Sequence, residues 1–290
     1  MNIKNLIILA RPHQYVKNVF IFLPLFFALR ITDLELLQNA FIAFIAVSFC
    51  ASAVYILNDY HDREEDRRHP KKKFRPLASG SVTERKALTT MVMLFFTGLI
   101  VMAMVSTDAL TILAVYLLMN LAYNFALKHV PILDVSIIAI GFVLRLYIGS
   151  AVTGIDLSIW IVVMTFLLAL FLALAKRRDD VLLFLDTGEK MRKTVDGYNL
   201  PFLDSVMTIM AAVVIVAYIL YTTSPEVAAR VQSEHLYITA LFVILGIMRY
   251  MQIAFVEKDS GSPTKVLLKD RFTQVTILGW VATFSWILYL

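Results

Sequence analysis

Nine apolar runs of roughly membrane-crossing length, laid almost end to end, constrain this chain more than any other feature. A helix needs roughly 20 apolar residues to cross a hydrocarbon core, where every backbone N–H and C=O must be satisfied within the segment. The runs fall at Tyr15–Leu29, Leu37–Leu57, Leu88–Val105, Leu110–Ala126, Ile132–Val152, Leu157–Ala175, Phe202–Tyr221, Leu236–Phe255 and Phe272–Leu290. With 59% hydrophobic and 17% charged residues, the 290-residue chain carries too much apolar surface for a water-solvated domain. We therefore expect an all-α, polytopic membrane protein of about nine transmembrane helices, with 1–290 as a single membrane domain. No cleavable leader is expected, since charged residues precede the first run and no small-residue cleavage site follows it. The single cysteine, Cys50, lies in an apolar run and excludes a disulfide framework or a Cys-based metal site.

Charge sorts the connections by side. If the N-terminus is cytoplasmic, the N-terminal segment and the loops after the second, fourth, sixth and eighth runs hold 24 of the 27 Lys and Arg. The opposite side holds Arg30 and Arg230, and Arg145 lies inside a run. The positive-inside rule then puts the N-terminus in and the C-terminus out. The cytoplasmic connections are also the longer ones, so chemistry is expected on that face.

The most informative stretch begins at Asn58. If the second helix continues, Asp59, Asp62 and Asp66 stand at i, i+3 and i+7, within an arc of about 60°. Carboxylates so placed repel unless a cation lies between them, and Mg2+ suits one or two carboxylates plus phosphate oxygens. A solvated helix end is the plainer account of such charges. Five basic residues between Arg68 and Arg75 tip the balance towards a mixed site for metal-bridged phosphate, with Arg75 and Lys73 as phosphate-binding candidates.

Asn58-Asp59-x-x-Asp62-x-x-x-Asp66, followed by Arg75-Pro76-Leu77-Ala78-Ser79-Gly80, resembles the first aspartate-rich motif of the UbiA-type intramembrane prenyltransferase superfamily. The resemblance implies a nine-helix bundle, a cytoplasmic-side cavity and Mg2+-dependent loss of diphosphate. Ordinary aromatic prenyltransferases of that superfamily carry a second motif, Asp-x-x-x-Asp, after the sixth helix. Here that place reads Lys176-Arg177-Arg178-Asp179-Asp180, whose adjacent aspartates cannot share a helical face.

Further segments resemble the decaprenyl-phosphate phosphoribosyltransferase branch of the superfamily. They are Arg11-Pro12-x-Gln14-Tyr15-Val16-Lys17-Asn18, His69-Pro70-x-x-x-Phe74-Arg75-Pro76, and Tyr123-Asn124-Phe125-x-Leu127-Lys128-His129 with Asp134 and Arg145. Ala175-Lys176-Arg177 with Arg192-Lys193 and Tyr198, and Pro263-Thr264 with Asp270-Arg271, complete the ordered set. The resemblance implies transfer of 5-phosphoribose from phosphoribosyl pyrophosphate (PRPP) to a polyprenyl phosphate, giving polyprenyl-phosphoryl-5-phosphoribose for envelope polysaccharides. Transfer of an isoprenoid from its diphosphate to an aromatic or other small acceptor is the alternative.

On that reading Asp59, Asp62 and Asp66, with Asn58, hold Mg2+ on the PRPP diphosphate, and Arg75 and Lys73 neutralise the leaving group. Lys17, Asn18, Tyr123, Lys128, Asp134, Arg145, Lys176 and Arg177 complete the substrate-binding set. Asp134 and Arg145 stand eleven residues apart, about 16 Å along one helix. An arginine that deep needs a partner or a polar cavity. Both an interhelical ion pair and a cation lining the substrate cavity meet that need. The expected cofactor is Mg2+, and the expected partners are PRPP, a polyprenyl phosphate and the bilayer, with no nucleic acid. A homo-oligomer is compatible with the sequence.

Overall fold

The computed structural model describes residues 3–68, 72–188 and 193–289, and among them every regular element is helical. His69, Pro70, Lys71 and Arg192 of the motifs above lie outside the described residues.

Chain contacts divide the protein into two compact units. The first comprises Met1–Phe125 and Leu144–Leu157, the second Ala126–Val143 and Ser158–Leu290. The first unit opens with α1 (Ile3–Ala10), a 3-10 segment at Pro12–Phe22 and the short α2 (Leu23–Phe27). Then come α3 (Leu34–His61), α4 (Arg63–Arg68), α5 (Glu84–Val105) and α6 (Thr107–Phe125). Helix α7 (Leu133–Thr153) contributes its start to the second unit and its end to the first. The second unit continues with α8 (Ile159–Thr187), α9 (Leu200–Thr223), α10 (Pro225–Val231), α11 (Ala240–Gln252), α12 (Pro263–Lys269) and α13 (Arg271–Tyr289).

Among the described residues seven helices are long and apolar enough to cross a membrane: α3, α5, α6, α7, α8, α9 and the stretch His235–Glu257 that contains α11. These match the second to eighth apolar runs, and the protein is a multi-pass membrane protein. The ninth run forms the 19-residue α13. The first run is built differently, as the 3-10 segment and α2. Pro12 and Pro24 interrupt α-helical bonding there, and Gln14, Lys17 and Asn18 favour polar contacts over a lipid-facing surface.

Local chemistry sets the boundaries. Asp33, Ser158, Asn199 and Ser262 cap α3, α8, α9 and α12 with side-chain oxygens that accept first-turn N–H groups. Helix α8 stops at Gly188, which adopts φ +69°, a left-handed conformation that glycine takes without a Cβ clash. Helix α11 runs into a π turn at Ile253–Glu257 before Lys258 reverses the chain.

In lipid, close approach of small residues replaces the hydrophobic effect as the packing force. The first unit follows that rule along α3, whose Ala40, Ala43, Ala46, Cys50 and Ala51 are buried. Gly98 of α5 sits so close to them that a Cβ would meet Cys50 Sγ at 2.6 Å and the Ala46 carbonyl at 2.7 Å. The second unit gathers Phe171, Leu174, Leu203, Met207, Val214 and Ile253 into its own core.

Candidate active site

The first unit's polar core is organised by a helix with three residues per turn. In the 3-10 segment Tyr15, Asn18 and Ile21 align on one side, and that side faces α3 and the end of α7. Ser52 Oγ donates to the Ala10 carbonyl at 2.7 Å and is 2.9 Å from the Tyr15 hydroxyl, which must then be the donor of that pair. Asn18 Nδ2 donates to Ser48 Oγ at 2.8 Å. Ile21 presses its backbone on Gly149, where a Cβ would stand 2.1 Å from the Ile21 carbonyl oxygen. Ser48, Ser52, Tyr55 and Asp59 recur at about one-turn spacing along α3, so the same helix face carries the anchor and the acid.

Helix α3 ends at His61 rather than running on through Asp66. Asp62 is its cap, and α4 starts at Arg63. The i to i−4 bonding survives the junction, since Asp62 N–H reaches the Asn58 carbonyl at 2.9 Å and Asp66 N–H the Asp62 carbonyl at 2.8 Å. Asp59 and Asp66 consequently stay on one side, both only 2% exposed. One guanidinium nitrogen, Nη1 of Arg75, lies 3.0 Å from Asp59 Oδ1 and 2.7 Å from Asp66 Oδ2. Lys72 Nζ is 3.8 Å from Asp66. Lys73 is exposed on the adjoining turn, over the Phe74 ring.

Arg11, which heads the N-terminal motif but is not among the expected site residues, closes the other side of Asp59. Its Nη2 donates to both carboxylate oxygens at 2.6 and 2.8 Å, and its guanidinium lies over the Tyr55 ring. Arg11 reaches this place from a left-handed backbone, φ 55° and ψ 54°. Such a conformation is uncommon for a residue with a Cβ and persists where surrounding contacts hold it. Its place at the head of the Arg11-Pro12 motif, immediately before a proline-initiated turn, is the sequence signal that marks it.

Farther along the same core, Arg145 is 5% exposed. Its Nε donates to Asn18 Oδ1 at 2.7 Å and its Nη2 to the Tyr116 hydroxyl at 2.8 Å, with the guanidinium over that ring. Lys17 is half-buried within electrostatic reach of Arg145, Arg11 and Tyr123. The polar face of α3 is therefore acidic at its end and flanked by cations. An apolar groove of about 220 Å³, lined by Ala53, Val54, Leu57, Met91, Phe95 and Leu117 among others, opens on the other face of the same helix.

The second unit holds Asp134, Lys128, Lys176 and Arg177. Asp134 and Arg177 form a buried pair: Arg177 Nε donates to Asp134 Oδ2 at 2.5 Å and its Nη1 to Asp180 at 2.8 Å. The Tyr198 hydroxyl donates to Asp134 Oδ1 at 2.6 Å and accepts the Ile132 N–H at 2.7 Å. Burial and the adjacent Asp134 carboxylate push the Tyr198 hydroxyl above its ordinary pKa. Gly197 lets this loop close, as a Cβ there would meet Pro131 at 2.1 Å. Asp179, expected as half of an adjacent pair, accepts from Ser260 at 2.7 Å and faces away from Asp180. Lys128 and Lys176 are half-buried, on the turn after α6 and on α8.

The donor set fits a divalent ion completed by phosphate. Two buried carboxylates converge on one atom, with Asp62 between them in sequence, and no three His, Cys, Asp or Glu side chains among the described residues form a metal-holding group by themselves. Mg2+ commonly takes just one or two carboxylates and fills its remaining positions with water and phosphate oxygens.

Comparison with known proteins adds context. A model of the UbiA prenyltransferase family matches residues 19–275. The decaprenyl-phosphate phosphoribosyltransferase of Mycobacterium tuberculosis is 33% identical over 280 residues, covering 94% of this chain and 90% of that protein. That of Corynebacterium glutamicum is 34% identical over 277 residues, 93% and 82% of the two chains. A UbiA homolog from Archaeoglobus fulgidus, solved bound to GPP and Mg2+, superposes with a TM-score of 0.71 at 18% identity, covering 99% and 100%.

Proposed function

We propose that this chain, which belongs to the UbiA prenyltransferase family, transfers 5-phosphoribose from PRPP to a polyprenyl phosphate of decaprenyl type, releasing diphosphate. The observation that carries the reading is the convergence of Asp59, Asp66 and Arg75 at the end of a membrane-crossing helix. Full-length relatives named as decaprenyl-phosphate phosphoribosyltransferases support the choice of donor and acceptor, and the Lys176-Arg177 sequence in place of a second spaced aspartate pair agrees with it.

Asp59, Asp62 and Asp66, with Asn58 at the preceding position, would hold Mg2+, which when bound draws charge from the diphosphate. Arg75 then has a second task. Its guanidinium can pass from the two carboxylates to the diphosphate oxygens, offering the paired N–H geometry that phosphate accepts. Arg11 keeps both oxygens of Asp59 oriented. As the bond from C1 of the ribose to the diphosphate oxygen breaks, C1 gains oxocarbenium character. An oxygen of the polyprenyl phosphate bonds to C1 from the opposite face, so the anomeric configuration inverts. That oxygen is already anionic at neutral pH, so no general base is needed and the catalytic work is positioning and charge neutralisation. The lysine and arginine distribution supports a cytoplasmic N-terminus and a cytoplasm-facing site, within one catalytic domain over 1–290.

The test uses purified full-length protein with Mg2+, radiolabelled PRPP and decaprenyl phosphate, with Asp59→Asn as control. Label entering the organic phase with the wild type alone is the expected result. No transfer, together with turnover of geranyl diphosphate and an aromatic acceptor, would overturn the proposal in favour of isoprenoid transfer.

A further inference from the structure

We infer that Thr194 is a specificity-determining residue whose buried hydroxyl pairs with a ring hydroxyl of the donor's ribose. The inference rests on the transfer reaction proposed above and concerns the sugar, which the charged groups already described do not read.

Among the described residues Thr194 Oγ1 is the single buried side-chain oxygen or nitrogen without a hydrogen-bond partner. The residue is 1% exposed. A hydroxyl taken out of water and left unpaired opposes folding, so packing alone would favour a valine at this position.

The surroundings form a rigid wall around that hydroxyl. Thr194 belongs to the 3-10 turn Lys193–Gly197, where residues three apart eclipse, so it shares a side with Gly197. That side meets the connection between α6 and α7, since a Cβ on Gly197 would stand 2.1 Å from the Pro131 ring. The next residue, Ile132, adopts φ +70°, an outlier for a β-branched side chain. Leu133 N–H bonds the Pro131 carbonyl at 2.8 Å across it, closing a three-residue turn of the rare, strained kind. The Ile132 side chain is 60% exposed, so side-chain packing does not hold this geometry. Its backbone does: the Tyr198 hydroxyl accepts the N–H, and Ser136 Oγ donates to the carbonyl at 2.8 Å. Strain of this order persists only where its surroundings over-determine it, and it gathers at ligand clamps.

Charge decides what the clamp takes. The Tyr198 proton goes to Asp134, and Arg177 is matched by Asp134 and Asp180. What remains is a neutral group that both donates and accepts, walled by a proline ring and a stiff turn. A sugar hydroxyl matches it in kind, whereas an isoprenoid chain would leave Thr194 unpaired. Sites that pair with a substrate hydroxyl reject the analogue lacking it far better than apolar pockets do. Both connections follow apolar runs that the lysine and arginine distribution ends in the cytoplasm, where a water-soluble sugar phosphate is met.

The experiment measures binding rather than turnover. Full-length wild type, Thr194→Val and Thr194→Ser are titrated with ribose 5-phosphate and with its 2-deoxy and 3-deoxy analogues, reading thermal unfolding midpoints and half-saturating concentrations. Thr194→Val should weaken ribose 5-phosphate about tenfold, the loss of one hydrogen bond to a buried partner. It should change the affinity for one deoxy analogue by less than about twofold, and that analogue identifies the hydroxyl in contact. Thr194→Ser should recover most of the loss, and the ligand-free midpoint of Thr194→Val should equal or exceed the wild type's. Equal ribose 5-phosphate affinity in wild type and Thr194→Val would overturn the inference, as would the same loss on all three sugars. A lowered ligand-free midpoint, or a Thr194→Val protein that fails to fold, would overturn it too, by assigning the hydroxyl to an internal bond or a buried water. A wild type that takes up no ribose 5-phosphate would overturn the phosphoribosyl reading with it, so the two failures are told apart.

Discussion

Removing Asp134 asks whether the buried pair with Arg177 holds the second unit together or serves substrate. Asp134 is 0% exposed and Arg177 2%, and each carboxylate oxygen has its own donor, Arg177 Nε on one and the Tyr198 hydroxyl on the other. Deleting one partner of a buried ion pair typically costs about 3–5 kcal/mol, because the other charge stays desolvated. Asp180, 2.8 Å from Arg177 and 19% exposed, offsets part of that loss, while the orphaned Tyr198 hydroxyl adds to it. Asp134→Leu should therefore cost about 4 kcal/mol. At roughly 2–4 °C per kcal/mol for a chain of this size, the unfolding midpoint falls by about 10 °C. Arg177→Met should cost a similar amount by burying a lone carboxylate. The double variant should cost about 2 kcal/mol rather than the sum, since it leaves no uncompensated charge. Tryptophan fluorescence during thermal unfolding in detergent suits the measurement, because Trp160, Trp280 and Trp286 all belong to the same unit as the pair. Additive losses would refute the pairing argument. Single variants costing under about 1 kcal/mol, with PRPP affinity lost instead, would show that Arg177 serves substrate rather than Asp134.

Three further outcomes follow from the geometry. Arg75→Gln removes the donor shared by Asp59 and Asp66 and should lower the transfer rate about 100-fold or more, with Arg75→Lys recovering little because an ammonium lacks the planar fork; a near-normal initial rate in Arg75→Lys would contradict it. Gly149→Ala drives a Cβ into the Ile21 backbone and should cost about 1–3 kcal/mol, shifting the segment that carries Lys17 and Asn18, so activity falls without any change in a charged group; unchanged stability and rate would count against it. Arg249 and Thr273 hold the Asp270 carboxylate below the usual carboxylate range. A depressed folded-state pKa contributes stability above the unfolded value near 4 that is lost as pH falls further. Unfolding midpoints from pH 6 to 3 should therefore drop less steeply in Asp270→Asn than in wild type, and parallel curves would exclude the tie.

The spans were legible because lipid imposes a length and composition rule that each segment satisfies by itself. Seven of the nine runs became long apolar helices among the described residues, six of them within a few residues of the expected limits, while α8 runs twelve residues past the expected Ala175 to Thr187. The aspartates were legible because Asp59 and Asp66 recur at helical spacing, and that spacing survives the turn at Asp62. What pairs with them could not be read from spacing. Arg11 is 48 residues from Asp59, and Arg145 is 127 from Asn18. Such contacts depend on a 3-10 segment lying against α3, a geometry that Gly149 permits by lacking a Cβ. The same limit applied to Asp134 and Arg177, each of which looked available to substrate. Folding brought the two charges together in a dry interior, where each is the other's best compensation. Sequence alone thus determined the membrane architecture and the acidic pole, both products of local periodicity. Tertiary structure decided which cations are spent on pairing within the fold, as Arg11 is with Asp59 and Arg177 with Asp134, because long-range charge pairing is settled only when distant segments meet.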